Sequence, residues 1–178
     1  MKNKNKIHQL VEGAMIAALY LVLSFSQEML LPGTTSMVIQ FRLAEILCLL
    51  CVFTPSAIWG LSIATLLFNL INMGALPMDV LFGTMATFLA AVLSFKLRNI
   101  KWFSLPVLSA MMPVIVNAVI IGLELELFLI DGPFHIGSFL IQSGIVAIGE
   151  FGVCVVLGLP FYKLLENFNF FNKYKKNI

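Results

Sequence analysis

Long apolar stretches constrain this sequence more than any other feature. Polar residues, glycine and proline divide it into six such stretches, at about 7–26, 37–53, 56–71, 78–95, 104–125 and 137–162. A helix needs about 20 residues to cross the hydrocarbon core of a membrane. The stretches are continuously apolar rather than alternating, which favours helices over the strands of a membrane barrel. The sequence therefore predicts an all-α, polytopic membrane protein, with one domain (residues 1–178) formed by a bundle of six transmembrane helices.

The composition supports this setting and excludes several classes of function. Of the 178 residues, 60% are hydrophobic and 11% are charged, whereas soluble domains average about 25% charged residues. A soluble domain of this length has too much surface to bury so many apolar side chains. An ordinary cytosolic enzyme and a nucleic-acid-binding protein are thereby excluded, so we expect no nucleic-acid partner. The chain also lacks a G-x-x-x-x-G-K-[ST] phosphate-binding loop, so it does not hydrolyse ATP by that route.

The basic residues predict the orientation in the membrane. If the N-terminus lies in the cytoplasm, all of the 11 Lys and Arg residues except Arg42 fall in the cytoplasmic tails and loops. Positively charged residues favour the cytoplasmic side. Both termini are therefore predicted to be cytoplasmic, in a multi-pass protein of the cell membrane with an even number of spans. The basic N-terminus resembles that of a signal peptide, but the long first stretch, which contains Glu12, favours a retained helix.

Strong polar residues also occur inside the predicted spans, nearly all in the half that faces away from the cytoplasm. They are Arg42, Glu45, Asn69, Asp79, Asn117, Glu124, Gln142 and Glu150. A charge at the bilayer centre costs roughly 2.5–3.5 kcal/mol on insertion scales. These side chains should therefore face one another, a cation or water inside the bundle. We expect a polar, water-accessible cup that opens outward and is closed on the inner side by apolar residues.

Some of these residues have simpler interpretations. Arg42 and Glu45 are three apart on one helix and could pair with each other. Asp79 could be a helix N-cap near the surface, and Glu124 and Glu126 could be solvated at a helix end, Glu126 above all. Only apolar residues and glycine flank Glu150, which favours a role in ligand binding.

The remaining reactive residue types point to neither a metal nor a cofactor. Cys48 and Cys51 have the C-x-x-C spacing, but no second pair and no nearby histidine completes a metal site. We interpret these cysteines as small apolar residues. No nucleophile–base pair is evident, so no catalytic residue is predicted.

Small residues give the first span two close-packing faces. Ala14 and Ala18 are four residues apart, as are Gly13 and Ala17. Such spacing lets helices approach each other closely. Packing within the bundle and docking onto a partner both remain open.

Several short strings in a fixed order resemble one family. They are QFRLAE at 40–45, FTPSA at 53–57, DVLFGT at 79–84, Asn117 followed by GLE at 122–124, and GE at 149–150. Together with the six predicted spans, they resemble the QueT family of queuosine-precursor transporters over roughly residues 7–166. Members of this family are substrate-binding S components of energy-coupling factor transporters.

The resemblance implies a ligand, partners and site residues. The ligand would be a 7-deazaguanine, such as the aminomethyl precursor or queuine. The partners would be a membrane scaffold subunit, which docks on the first helix at Ala14 and Ala18, and two ATPase subunits. The implied ligand-binding residues are the acids Glu45, Asp79, Glu124 and Glu150, the amides Asn69 and Asn117, the aromatics Phe41 and Phe82, and Arg42.

Three alternatives remain. The ligand could be another vitamin or nucleobase. The chain could also be an intramembrane enzyme with paired carboxylates, although the spans contain no metal triad and no histidine at depth. A channel would need a continuous polar path, which the apolar inner half does not provide.

Overall fold

The computed structural model describes residues 2–34, 41–72, 77–130 and 132–168. Within these ranges the chain forms six α-helices, which are α1 (Lys2–Leu30), α2 (Ser56–Ile71), α3 (Asp79–Leu97), α4 (Val107–Phe128), α5 (Ile136–Phe151) and α6 (Gly158–Asn167). A 3₁₀ helix (Leu43–Val52) precedes α2, and a π-helical segment (Gly152–Leu157) joins α5 to α6. The prediction of an all-α protein is confirmed.

Four stretches of the described chain are long and apolar enough to cross a membrane. They are Lys6–Leu30, Asp79–Leu97, Val107–Phe128 and Ile136–Asn167. The second and third predicted spans correspond to shorter helices, the 3₁₀ helix and α2. A 3₁₀ helix of 10 residues rises only about 20 Å, less than the roughly 30 Å of the hydrocarbon core. Residues 37–40 of the second predicted span lie outside the described ranges, and the six-span count and the orientation stay predictions.

The 3₁₀ helix lies at the centre of the bundle. It contacts α1, α2, α3, α4, α6 and the π-helical segment, while neighbouring α-helices from α1 to α5 pack against each other in sequence. Most of its side chains are buried. Gly158, the first residue of α6, lies close against the 3₁₀ helix. A Cβ added at Gly158 would lie 2.7 Å from the side chain of Leu49 in that helix. This arrangement carries Glu45 into the interior of the bundle.

The outer surface of the bundle is strongly apolar. Leu10, Met29 and Ile148 are 74%, 86% and 77% exposed, whereas Glu45 and Glu124 are fully buried. This distribution is the reverse of that in a soluble protein, where charged residues are almost never fully buried unless paired. It fits a bundle whose outer surface is solvated by lipid chains.

A polar cluster joins three segments at the end of the bundle that is predicted to be cytoplasmic. Lys101, in the α3–α4 loop, donates a hydrogen bond to the Tyr162 hydroxyl (2.9 Å) and lies 3.6 Å from the Glu166 carboxylate. The Tyr162 ring stacks on Phe53, directly after the 3₁₀ helix, with ring centroids 4.9 Å apart. The hydrogen bond to Tyr162 raises the pKa of Lys101 above its ordinary value. These contacts fix the loop, the 3₁₀ helix and α6 relative to one another.

Candidate ligand site in the buried acidic cluster

Acidic side chains from four helices meet around one arginine. Arg42 directly precedes the 3₁₀ helix, and its guanidinium interacts electrostatically with Glu45, Asp79 and Glu150. The Glu124 carboxyl lies beside that of Asp79 and within electrostatic range of Arg42. Glu45, Glu124 and Glu150 are 0% exposed, and Asp79 is 2% exposed. The predicted convergence of these residues is found, but they form a buried cluster and not the open cup that the sequence predicted.

Glu45 is held by hydrogen bonds from three other side chains. The Tyr20 and Thr87 hydroxyls donate to Oε1 at 3.0 and 3.2 Å, and the Cys48 thiol donates to Oε2 at 3.1 Å. Cys48 reaches Glu45 because side chains three residues apart eclipse each other in a 3₁₀ helix. Donors from α1, α3 and the 3₁₀ helix itself therefore occupy both oxygens of Glu45.

Glu150 keeps one oxygen without a partner. The Cys154 thiol donates to Oε2 at 3.4 Å, and the Asn117 side chain lies beside the same carboxyl group. Oε1 is buried and accepts no hydrogen bond from the described residues. Phe41 packs in the same apolar cluster as Cys154. This part of the site thus combines a free carboxylate oxygen, an amide and an aromatic ring.

A second set of free acceptors surrounds Asp79. Asn69 Nδ2 donates to the Asp79 carbonyl (2.7 Å), while Asn69 Oδ1 is buried without a hydrogen bond among the described residues. Neither oxygen of Glu124 has a hydrogen bond of normal geometry in this part of the chain. A buried acceptor left unpaired costs about 1–3 kcal/mol, and two adjacent carboxylates repel each other. The arrangement is suited to accept a positively charged donor.

The alternative interpretation of Asp79 as a helix N-cap is not found in the structure. Met78 is the N-cap of α3, and Asp79 is the first residue of the helix. Its side chain is directed into the bundle towards Glu124.

A glycine and two aromatic rings complete the surroundings of Asp79. A Cβ at Gly83 would lie 2.8 Å from Asn69 Nδ2 and 3.6 Å from Arg42 Nη1, so the absence of a side chain lets Asn69 approach. Phe82 and Phe128 pack with ring centroids 5.8 Å apart. They lie about one helical turn beyond Asp79 and Glu124, on the same helix faces.

The prediction that Glu126 is solvated is wrong. Glu126 is 3% exposed, and its Oε1 accepts a hydrogen bond from the backbone N–H of His135 at 2.9 Å. His135 is the N-cap of α5. The carboxylate is buried because it satisfies a backbone group at the start of the next helix, and it thereby connects α4 to α5.

Sequence reasoning missed a polar face of α1. Tyr20, Ser24 and Gln27 are buried, and their spacing of four and three residues places them on one helix face. The sequence analysis ended the first span near residue 26, but α1 continues to Leu30. Gln27 is accommodated there because its amide accepts from the Leu43 N–H (2.8 Å) and donates to the Phe41 carbonyl. The spacing of these polar residues was the signal that could have revealed the face.

The cysteines are free and buried, but the thiols of Cys48 and Cys154 donate hydrogen bonds to the Glu45 and Glu150 carboxylates, so these two are more than small apolar residues. Among the described residues, no group of three or more His, Cys, Asp or Glu side chains could hold a metal ion.

The two small-residue faces of α1 have different surroundings. Gly13 packs against α2, where a Cβ at Gly60 would lie 2.5 Å from the Gly13 carbonyl oxygen. Ala14 and Ala18 are exposed and line a surface groove of about 630 Å³ between α1 and α2, together with Trp59. One face is used for packing within the bundle, and the other remains accessible.

A comparison with protein families identifies the group to which this chain belongs. The family model described as QueT transporter matches residues 10–167. The chain belongs to the QueT transporter family. The resemblance of the short strings is thereby confirmed, and the match includes every predicted site residue from Ala14 to Glu150. No curated protein matches the chain, and no solved structure does. Membership of QueT, with four candidate membrane-spanning helices, makes the chain a membrane transporter protein.

Proposed function

We propose that this chain is the substrate-binding S component of an energy-coupling factor importer and captures a queuosine precursor from outside the cell. The observation that carries the proposal is the buried acidic cluster, with free acceptor oxygens on Glu124, Glu150 and Asn69, in a QueT family chain. The proposal includes six spans, cytoplasmic termini and a multi-pass location in the cell membrane. On this topology the acidic cluster lies in the outer half of the bundle.

The chemistry of the cluster suits a 7-deazaguanine. The guanine-like edge of such a ligand carries adjacent N–H donors, which a carboxylate can accept in a bidentate manner. An aminomethyl or secondary amine substituent adds a positive charge, which matches the excess of carboxylates over the single guanidinium of Arg42. The flat ring suits packing against an aromatic side chain such as Phe41 or Phe82.

The proposed energy source lies in partner subunits. The chain has no phosphate-binding loop, so a membrane scaffold subunit and two ATPase subunits would drive release of the ligand inside. The exposed groove that Ala14 and Ala18 line is the proposed docking surface, since small side chains let a partner helix approach closely. On this proposal the chain is not an enzyme and needs no cofactor.

The ligand is tested with the purified protein. Calorimetry with a panel of 7-deazaguanines, other nucleobases and vitamins should show tight, saturable binding of a 7-deazaguanine. Mass spectrometry of small molecules that copurify with the protein gives an independent identification. Binding of a vitamin in place of every 7-deazaguanine would refute the proposed substrate, and turnover of a lipid or polar substrate by the protein alone would favour the enzyme alternative.

Docking is tested with leucine substitutions in the groove. Ala14→Leu and Ala18→Leu should leave ligand affinity within about twofold and abolish copurification with the scaffold subunit, because the larger side chains fill the groove. Gly144→Leu is the matched control, since Gly144 lies exposed on α5 with open space around its Cβ position. Retained copurification of the groove variants would refute this docking surface.

A further inference from the structure

We infer that the acidic cluster has two ends that recognise different parts of the ligand. An ammonium end is formed by Glu124 and its neighbours, a ring end is formed by Glu150 and its neighbours, and Glu45 positions the protein's own helices. This assignment rests on the proposed function and specifies which side chain receives which chemical group. It follows from the unequal distribution of hydrogen bonds over Glu45, Glu124 and Glu150.

The Glu124 end has the properties of an ammonium site. Apart from the contact of the Glu124 carboxyl with that of Asp79, both oxygens of Glu124 and Oδ1 of Asn69 are buried without hydrogen bonds among the described residues. An alkylammonium group offers three donors and no acceptor, so it can satisfy several such oxygens at once.

The Glu150 end has the properties of a site for a planar edge. Glu150 has one oxygen without a hydrogen bond among the described residues, and the Asn117 amide, which can both donate and accept, lies beside the same carboxyl group. An edge with adjacent donors and acceptors requires such a pair. Phe41 packs against the apolar cluster that contains Cys154, so an aromatic side chain lies in this part of the bundle. The thiol of Cys154 already occupies the other oxygen of Glu150.

Glu45 differs from Glu124 and Glu150 because each of its two carboxylate oxygens already accepts a hydrogen bond from a side chain. Tyr20, Thr87 and Cys48 donate to its two oxygens, so a ligand would have to displace donors from three segments to reach them. Arg42 interacts with acids of both ends and therefore lies between them. Glu45 is a positioning residue, and its loss should alter the packing of α1 and α3 before it alters selectivity.

The test compares two ligands of similar shape on the full-length purified protein. One is 7-aminomethyl-7-deazaguanine, and the other is 7-methyl-7-deazaguanine, which lacks the ammonium group. The wild type should bind the amine about 10- to 100-fold more tightly, since that is the range of one charge-assisted hydrogen bond. Glu124→Gln should remove most of this preference. Glu150→Gln should lower the affinity for both ligands by a similar factor and so keep the preference. Glu12→Gln, a matched change on α1 at a carboxylate bonded to Thr54, should alter neither affinity.

Each outcome separates this inference from the proposed function. Equal affinities of the wild type for the two ligands would overturn the two-ended assignment and leave 7-deazaguanine binding intact. The same holds if Glu124→Gln keeps the preference or if Glu150→Gln abolishes it. Failure of the wild type to bind either compound or any other 7-deazaguanine of the panel would refute the proposed function itself. Thermal unfolding shows whether Glu124→Gln folds. If it does not, the test uses the ratio of the two ligand affinities for the wild type and for Glu124→Asp. Glu124→Asp keeps the negative charge and should therefore keep the preference for the amine.

Discussion

The contact of α1 with α2 at Gly60 yields a prediction that can be worked out from distances. In Gly60→Ala, the added Cβ would lie 2.5 Å from the Gly13 carbonyl oxygen and 3.2 Å from the Ile16 Cβ. An ordinary contact begins at 3.4 Å, so the two helices must separate by about 0.9 Å at this point. The obstructing oxygen is a backbone atom, so no change of rotamer can relieve the contact. Overpacking of this kind costs typically about 1–3 kcal/mol, against a gain of at most about 1 kcal/mol from replacing a helical glycine with alanine.

Gly144→Ala is the matched control for this prediction. Gly144 also lies within an α-helix, but nothing lies within 4 Å of its Cβ position, so only the gain in helix propensity remains. Unfolding of the detergent-solubilised protein, followed by tryptophan fluorescence, should show Gly60→Ala less stable than the wild type and Gly144→Ala at least as stable. Trp59 lies next to the substituted residue and is a convenient reporter. Equal stability of the two variants would refute the close approach of α1 to α2.

Two further predictions concern the ends of the bundle. Gln27→Ala removes the hydrogen-bond partners of the Leu43 N–H and the Phe41 carbonyl, at the start of the 3₁₀ helix. Each unsatisfied backbone group costs about 1–3 kcal/mol. Thermal unfolding should therefore show a marked loss of stability, and calorimetry should show weaker ligand binding. Tyr162→Phe keeps the ring but removes the hydrogen bond from Lys101, and should cost about 0.5–1.5 kcal/mol. Because the folded protein raises the pKa of Lys101, this contribution is present below the ordinary lysine pKa and is lost as the pH rises through the raised value. Stability measured against pH should therefore fall less steeply in that alkaline range for Tyr162→Phe than for the wild type, and identical pH profiles would contradict the role of this hydrogen bond.

The sequence was sufficient to predict the helical membrane class and the members of the acidic cluster. Charges inside apolar spans are costly enough to favour convergence of Glu45, Asp79, Glu124 and Glu150, although the sequence left open an N-cap role for Asp79 and solvation of Glu124. The partners of Glu45 were not predictable in the same way. Tyr20 and Thr87 are 25 and 42 residues away in sequence, and neither residue type is unusual in an apolar helix.

Helix type and helix ends were also beyond the reach of the sequence. In an almost wholly apolar run, a period of 3.0 residues cannot be distinguished from one of 3.6, so the 3₁₀ helix was predicted as part of an ordinary span. Glu126 was expected in solvent because the sequence does not show that the His135 N–H, nine residues later, returns to meet it. The first predicted span ended before Gln27 because the sequence does not show that the backbone of Phe41 and Leu43 returns to meet this side chain.

The winding of the central 3₁₀ helix sets the distance between Glu45 and the stacked rings of Phe53 and Tyr162. Ten residues measure about 20 Å as a 3₁₀ helix but only about 15 Å as an α-helix. In the tighter form, Glu45 at one end and the stacked rings of Phe53 and Tyr162 at the other are held apart by a rod that is about a third longer. A change of this rod to α-helical winding would shorten it by about 5 Å and rotate Glu45 relative to the Phe53 and Tyr162 rings, so the separation of these side chains depends on how the central helix is wound.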